Sequence, residues 1–376
     1  MIAERKEGGE KTFLRKALTV VYFLFILYLF FLCIEMMGAG FKLFGEDIAN
    51  ELMRLTENPI VGLFIGILAT SIMQSSSSTT SIVVGMVAAG TLSVELAIPI
   101  VMGANIGTSV TNTVVSLGHM QRKKEFELAF AGAVVHDFFN LCTVILFLPL
   151  ELIWHPLERS AKFVSNVFIG VEGATFESPF DAIVEPPVDL LQFLGEKAFG
   201  EGSMILAVVF VIVALGLLIF TLSRITKIMR GALASRLEVL VDRYLFTGTF
   251  RGFFIGAGVT AIVQSSSITT CLVVPLLGAG IIRLEKVFPY MVGANLGTTF
   301  TALLASLVTG QQTAVTIALC HLFFNLFGAV IFIPLKIAPI SLAKGFGKIT
   351  AERRWLALVY VGVVFFLVPL VLIFLT

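Results

Sequence analysis

Two closely similar stretches of the chain determine its fold: QSSSSTT at Gln74–Thr80 and QSSSITT at Gln264–Thr270. The match continues without a gap, at an offset of 190 residues (264 minus 74), from Gln74–Thr111 onto Gln264–Thr301. Within it, MGANIGTSVT aligns with VGANLGTTFT. Similarity over this length indicates an internal duplication.

The duplication extends to a further pair of motifs downstream. VHDFFN at Val135–Asn140 aligns with CHLFFN at Cys320–Asn325, at an offset reduced to 185 (320 minus 135) by a shorter loop. We name the copies repeat 1 (residues 59–150) and repeat 2 (residues 246–336). We expect residues 1–58 to hold an N-terminal cytoplasmic segment, a first span and a connecting amphipathic segment. Residues 151–245 are expected to form an acidic external loop, a linking span and a basic internal segment, and residues 337–376 a basic internal segment and a final span.

The composition is that of a polytopic membrane protein. Of 376 residues, 57% are hydrophobic and 14% are charged, against about 25% charged in an ordinary soluble domain. The mean hydropathy is +0.98, and the apolar residues would fill about eight to ten spans of roughly 20 residues. The net charge of +1 gives no basic face for nucleic acid. The four cysteines lie far apart in apolar runs, without metal-ligand spacing.

Lysine and arginine predict the orientation, because cytoplasmic segments carry an excess of both. The acidic segment Glu151–Ser203, with nine acidic and three basic residues, is assigned outside. The basic segments are assigned inside: the N-terminus, Arg122–Lys124, Arg224–Arg243 and Lys344–Arg354.

Threading the chain through these assignments inverts the two repeats. A first span near Leu18–Met37 runs outward, and the apolar run Met204–Leu222 returns inward. Repeat 1 therefore begins outside and repeat 2 inside, an arrangement found in secondary transporters. A final span, Trp355–Leu375, places the N-terminus in the cytoplasm and the C-terminus outside.

Each repeat begins with apolar pieces that are too short to span a bilayer. Ile60–Met73 precedes the polar turn Gln74–Ser78, and Ile82–Ala89 follows it. Phe250–Val263 and Ile268–Ala279 repeat this pattern around the second turn. We predict two re-entrant helical hairpins whose Ser-rich tips meet near the midplane.

A glycine-containing span follows each hairpin, with GANIGT in repeat 1 and GANLGT in repeat 2. Glycine lowers helix propensity, so we predict an unwound segment at both motifs. The glycines concerned are Gly103, Gly107, Gly293 and Gly297.

The polar tips require a hydrated or ligand-filled cavity, because each unsatisfied buried polar group costs about 1–3 kcal/mol. Helix N-termini after Ser76 and Ser266, together with serine hydroxyls, suit an anion. Gln, Asn and Thr oxygens and carbonyls of broken helices suit sodium. The bland alternative is that these hydroxyls only pack or bond carbonyls one turn back.

Two histidines and one aspartate lie downstream of the tips. We interpret His136 and His321 as braces of a helix contact, with a proton relay as the alternative. Asp137 aligns with Leu322 and is expected to contact nearby polar groups.

The motifs resemble those of type II sodium-dependent phosphate cotransporters, in a bacterial member. The resemblance covers both repeats and rests on QSSSSTTSIVVGMVAAG, AIPIVMGANIGTSVTNT, AFAGAVVHDFFN, VQSSSITT, VGANLGTT and ALCHLFFN. It implies an all-α, elevator-like transporter of the inner membrane that imports phosphate with sodium. It implies no cofactor besides the coupling ions, and it leaves a homodimer open.

The resemblance also implies ligands. The residues expected to bind phosphate are Ser75, Ser76, Ser77, Ser265, Ser266, Ser267, Asn105 and Asn295. Those expected to bind sodium are Gln74, Gln264, Thr108, Thr111, Thr298 and Thr301. One departure is that Glu151–Ser203 is shorter than the disulfide-bonded loop of animal members and contains no cysteine.

Two other functions remain open. One is an inverted-repeat sodium symporter for another oxyanion, sulfate or a dicarboxylate. The other is an intramembrane serine hydrolase, which would need a base beside the serine; only His136 and His321 are candidates, and neither is near a tip in sequence.

Overall fold

The computed structural model describes residues 2–44, 54, 56–168, 181–200, 202–244 and 248–375. The connecting segment expected after the first span, and residues 169–180 of the expected external loop, lie outside the described residues. Within the described part the chain is helical and contains no strand. Seven helical stretches among the described residues are long and apolar enough to cross a membrane. Two of them, Val94–Leu117 and Trp355–Leu375, join consecutive helices. The prediction of an all-α polytopic membrane protein is confirmed.

The helices follow the duplicated sequence. The chain begins with α1 (Ile2–Leu43), α2 (Pro59–Met73), α3 (Ser76–Ala88), α4 (Val94–Gly107), α5 (Val110–Leu117), α6 (Lys123–Trp154), α7 (Pro156–Phe168), α8 (Asp181–Phe199) and α9 (Met204–Tyr244). It continues with α10 (Thr249–Val263), α11 (Ser266–Cys271), α12 (Val274–Gly278), α13 (Leu284–Val308), α14 (Gln312–Phe332), α15 (Ile337–Glu352), α16 (Trp355–Gly362), a π-helical turn (Val363–Leu367) and α17 (Val368–Leu375).

The same backbone turn forms the tip of both hairpins. Gln74 ends α2 in the left-handed region (φ 52°, ψ 28°), and Gln264 ends α10 in the same way (φ 58°, ψ 26°). Ser75 and Ser265 are extended (φ −152° and −153°), and each side chain accepts a hydrogen bond from a backbone N–H three residues on. The hydroxyl thus caps the outgoing helix, so the QSS sequence itself builds the turn.

Glycines allow the first arm of hairpin 1, α2, to lie directly against α4. A Cβ on Gly66 would collide with the carbonyl of Ile100, and one on Gly103 with the carbonyl of Leu63. The two helices therefore touch backbone to backbone, as small residues permit in membrane proteins.

The predicted unwinding at the second glycine motif is wrong. Helix α13 runs without interruption from Leu284 to Val308. Gly293 is used for contact instead, since a Cβ there would collide with the carbonyl of Phe253 on α10. In repeat 1 the helix does break, at Thr108–Ser109, immediately after Gly107.

The outgoing arms of the hairpins differ. Helix α3 is continuous, whereas the equivalent arm of hairpin 2 is divided into α11 and α12 at Leu272–Val273. Pro275 follows the break and has no N–H to bond the carbonyl four residues earlier. The aligned residue in repeat 1 is Gly85, which keeps its N–H.

Contacts between distant segments define the two ends of the molecule. At one end, Lys123 lies 4.0 Å from Glu352, and the Arg354 guanidinium donates to the carbonyl of Gln121 at 3.5 Å. At the other, the Gln312 amide donates to Asn166 of α7 at 2.6 Å. The basic loops before α6 and after α15 are therefore neighbours.

The open end of each hairpin lies near one of these two ends of the molecule. The end of hairpin 1, at Gly90–Glu95, lines a surface pocket with Glu158 of α7 and Gln311. The end of hairpin 2, at Gly280–Arg283, lines another with Lys344 of α15. The open ends of the two hairpins thus lie at opposite ends of the molecule.

Candidate binding site at the two hairpin tips

The two tips meet in one cavity. Its volume is about 330 Å³, and because a water occupies about 30 Å³, it has room for a small ion with several waters. None of the described residues that line it is charged. The lining residues are Met73, Gln74, Ser75, Ser76, Ser77, Ser78, Ile219, Leu222, Ser223, Gln264, Ser265, Ser266 and Ser267.

The serines of the tips present hydroxyls to this cavity. Ser76 and Ser77 are 4% exposed and Ser266 is 3% exposed. The backbone N–H groups at the start of α3 have no partner within their helix, as at every helix N-terminus. Hydroxyl and N–H donors around an uncharged cavity can hold an anion by hydrogen bonds.

In repeat 2 the expected sodium ligands contact each other. The Thr301 hydroxyl on α13 donates to the side-chain oxygen of Gln264 and lies 3.4 Å from the hydroxyl of Ser77. Thr301 therefore joins its own hairpin tip to the tip of the other repeat.

In repeat 1 the equivalent pair is not joined. Gln74 is exposed in the cavity, and the buried Thr111 hydroxyl has no hydrogen-bond partner among the described residues. The Gln74 side chain thus faces the cavity, while the Thr111 hydroxyl is buried behind the lining residues. The side chains of Gln264 and Thr301 are bonded to each other.

Thr108 and Thr298 do not line the cavity. Both are buried, and each hydroxyl donates to the carbonyl one turn back, Ala104 at 3.0 Å and Ala294 at 3.1 Å. These two threonines therefore make the ordinary contact of a threonine in a membrane helix, a hydrogen bond to the backbone one turn back.

Asn295 does not line the cavity either, because its amide is engaged with α6. Its oxygen contacts the His136 ring nitrogen Nε2, and its nitrogen donates to Asn140 at 2.7 Å. All three side chains are at most 2% exposed. This is a brace between repeat 1 and repeat 2.

Asn105 makes the corresponding contacts with α14. Its side-chain oxygen accepts from Asn325 at 3.2 Å and lies 3.4 Å from Nε2 of His321. Its carbonyl accepts from Asn140 at 2.7 Å, which connects the two braces. The structure thus places Asn105 and Asn295 between the repeats rather than at the tips.

Comparison with known proteins identifies the family of the chain. The family model described as Na+/Pi-cotransporter matches residues 29–172 and 217–368. The chain belongs to this cotransporter family. Its members are transporters, so the chain is not an enzyme. No solved structure matches the chain.

Relatives of this cotransporter-family chain include mammalian phosphate transport proteins. It is 31% identical to sodium-dependent phosphate transport protein 2B of Homo sapiens, over 93% of this chain and 64% of that protein. It is 34% identical to sodium-dependent phosphate transport protein 2A of Ovis aries, over 97% and 70%. The chain therefore spans slightly less than two thirds of the 2B relatives' length.

Asp137 contacts a polar group, as expected for this family member: it accepts from the Tyr360 hydroxyl at 2.8 Å. The sequence analysis missed another contact, in which Asn112 accepts from the Thr270 hydroxyl at 2.9 Å. Asn112 is a polar residue that aligns with Ala302, and this asymmetry was the available signal. Nothing in the sequence pointed to Ser223 on α9.

Proposed function

We propose that the chain is a sodium-coupled symporter that imports inorganic phosphate by alternating access at the hairpin tips. The observation that carries the proposal is that two QSSS tips, 190 residues apart (264 minus 74), line one uncharged polar cavity. The names of its relatives, sodium-dependent phosphate transport proteins, support the same ligands.

Phosphate is bound by the serines of the tips: Ser75, Ser76, Ser77, Ser265, Ser266 and Ser267. Hydroxyls donate to oxyanions and rotate to suit them, and the N-terminus of α3 adds N–H donors. Asn105 and Asn295 are omitted from this set, because their side chains are bonded between the repeats.

Sodium is bound by Gln74 with Thr111 and by Gln264 with Thr301. Because no described residue of the lining carries a positive charge, bound sodium supplies the charge that attracts phosphate. The two ions then bind cooperatively, and each tightens the other by the same factor.

Inverted repeats and an elevator-like movement complete the proposal. The end of hairpin 1 lies beside α7, which follows the end of α6, while the end of hairpin 2 lies beside the basic helix α15. By the positive-inside rule the latter group is cytoplasmic. The orientation supported is a cytoplasmic N-terminus and an external C-terminus, in the plasma membrane of a bacterium.

A serine hydrolase is disfavoured by the position of the histidines. A nucleophilic serine needs a base within about 3 Å, and neither His136 nor His321 lines the cavity. Both ring nitrogens Nε2 face asparagine oxygens instead.

Uptake of phosphate into proteoliposomes tests the proposed function. With sodium outside, we expect accumulation above the equilibrium level; with lithium or potassium outside, we expect much less. Sulfate and succinate serve as competitors. Uptake of sulfate in place of phosphate, or uptake independent of the sodium gradient, would refute the proposal.

Cysteine labelling tests the inverted topology. Reagents that do not cross the membrane should reach residues 122–124 only from the cytoplasm and Gln311 only from outside. Cytoplasmic labelling of Gln311 would show that the repeats are not inverted.

A further inference from the structure

The binding cavity has a third wall that belongs to neither repeat. Besides the two tips, it is lined by Ile219, Leu222 and Ser223 of α9. This helix packs along α1, where Gly40 lies against Phe210 and Val211. Ser223 is exposed in the cavity and is the polar member of this wall.

Ser223 differs from the tip serines in what its hydroxyl can offer a ligand. Its proton is already donated to the carbonyl of Ile219, at 2.6 Å. The oxygen that faces the cavity therefore offers lone pairs, that is, an acceptor. For Ser76 and Ser266, no hydrogen bond donated by the hydroxyl is present among the described residues, so these two offer donors.

A cavity with donors on two sides and an acceptor on the third matches one class of oxyanion. Phosphate near neutral pH, as mono- or dianion, keeps at least one P–OH group, which needs an acceptor. Sulfate has acceptor oxygens only, and one of them placed against Ser223 would meet another lone pair. Sites built to bond a hydroxyl discriminate strongly against analogues that lack it.

We propose that Ser223 is a specificity-determining residue that accepts a hydrogen bond from the protonated oxygen of phosphate. This inference rests on the proposed function, since it concerns the same cavity. It adds α9 to the substrate site and assigns the distinction between phosphate and sulfate to a residue outside the duplicated sequence.

The test uses a ligand pair that differs only in the donor. Monofluorophosphate has the charge and approximate size of hydrogen phosphate, with fluorine in place of the hydroxyl. Binding of radiolabelled phosphate to the purified full chain in sodium, with monofluorophosphate, arsenate and sulfate as competitors, measures each relative affinity.

We expect the unaltered chain to prefer phosphate and arsenate over monofluorophosphate and sulfate. Ser223→Ala should weaken phosphate and arsenate about fivefold to tenfold, the effect of one hydrogen bond. Monofluorophosphate and sulfate should change little, so the preference shrinks by the same factor. Ser223→Thr keeps the hydroxyl and should keep the preference.

The control is Ser341→Ala, an exposed serine of α15 that does not line the cavity, and it should leave every affinity unchanged. If Ser223→Ala weakened all four ligands equally, or none, the proposal would be wrong. Either result would leave sodium-driven uptake by the unaltered chain intact, whereas failure of that uptake would refute the proposed function itself.

Discussion

The two hairpins have the same tip turn but differ in the contacts around it. Gln74 and Gln264 share the left-handed conformation within 6° in φ (52° and 58°), and both line the cavity. Only Gln264, of these two, is bonded to the threonine of its own repeat, Thr301. Duplication has preserved the backbone of the site and allowed its side chains to take different roles. The glutamine and threonine of repeat 2 are bonded to each other, and the aligned pair of repeat 1, Gln74 and Thr111, is not.

The second helical arms of the two hairpins differ in continuity. Hairpin 1 continues as one helix of 13 residues, whereas hairpin 2 is interrupted after six. In compensation, Thr270 on the interrupted arm is bonded to Asn112 of repeat 1, and the aligned position of repeat 2 is Ala302. Thr270 keeps the bond to the carbonyl of Ser266 that Thr80 makes to Ser76, so the contact with Asn112 is an addition in hairpin 2.

The largest effect is expected where the repeats are most alike, at the close contact between the first arm and the following span. Gly66→Ala and Gly256→Ala each place a Cβ against a carbonyl, of Ile100 and Tyr290 respectively. Overpacking costs about 1–3 kcal/mol, and both variants should lose thermal stability in detergent. Gly258→Ala is the control, because a Cβ there meets nothing within 4 Å. A stable Gly256→Ala variant beside an unstable Gly66→Ala variant would show that the two contacts are not equivalent.

Replacing each tip glutamine should distinguish Gln264, which is bonded to Thr301, from Gln74, which is not bonded to Thr111. Gln264→Ala leaves the buried Thr301 hydroxyl with only the distant Ser77 hydroxyl as acceptor, at 3.4 Å. The loss of about 1–3 kcal/mol should lower the thermal midpoint. Gln74→Ala should leave the midpoint unchanged. Both should raise the sodium concentration that half-saturates phosphate uptake. Unaltered sodium dependence in both variants would contradict the role assigned to these residues.

Replacing single serines of the cavity should have a smaller effect, measured as the loss of phosphate affinity. Ser76→Ala and Ser266→Ala should each weaken phosphate by about 1–2 kcal/mol, the loss of one hydrogen bond to a charged group. We expect the larger loss for Ser76, which begins the continuous helix. Ser81→Ala is the control on the same helix, since its buried hydroxyl has no partner among the described residues. Equal phosphate affinities in all three variants, at matched surface expression, would rule out the serine tips as the binding site.

The smallest expected effect tests the contact between Asn112 and hairpin 2. Asn112→Ala removes the acceptor that Thr270 finds in the other repeat, worth about 1 kcal/mol, and leaves the carbonyl of Ser266 as the second acceptor. Hydrogen exchange should accelerate about fivefold at residues 266–278, with residues 76–88 as the internal reference. Equal acceleration in both hairpins would indicate general destabilisation instead.

The hairpins could be predicted from the sequence because their signals are local. The first arm was expected at Ile60–Met73 and is found at Pro59–Met73, and the equivalent arm of hairpin 2 also agrees to within one residue. A polar tip between two short apolar runs leaves few alternatives in a membrane. The meeting of the two tips likewise followed from the duplication.

The remaining features depend on partners that are distant in sequence. The low helix propensity of glycine predicted unwinding at Gly293. In the structure this glycine instead allows close contact with the backbone of Phe253. Asn105 was expected at the tips because it is polar, and its actual partner Asn325 lies 220 residues away. Propensity describes one residue at a time and carries no information about such pairs.

The left-handed glutamines have an energetic consequence. A residue with a Cβ is strained by about 1 kcal/mol or more in this region, and glycine would adopt the same turn without that strain. The tip therefore holds a side chain at the expense of local stability. Strain of this kind is typical of functional sites, where the surrounding structure enforces it. Both copies of the tip carry the same strained residue. The turn geometry does not require glutamine, so the glutamine is there for its amide side chain.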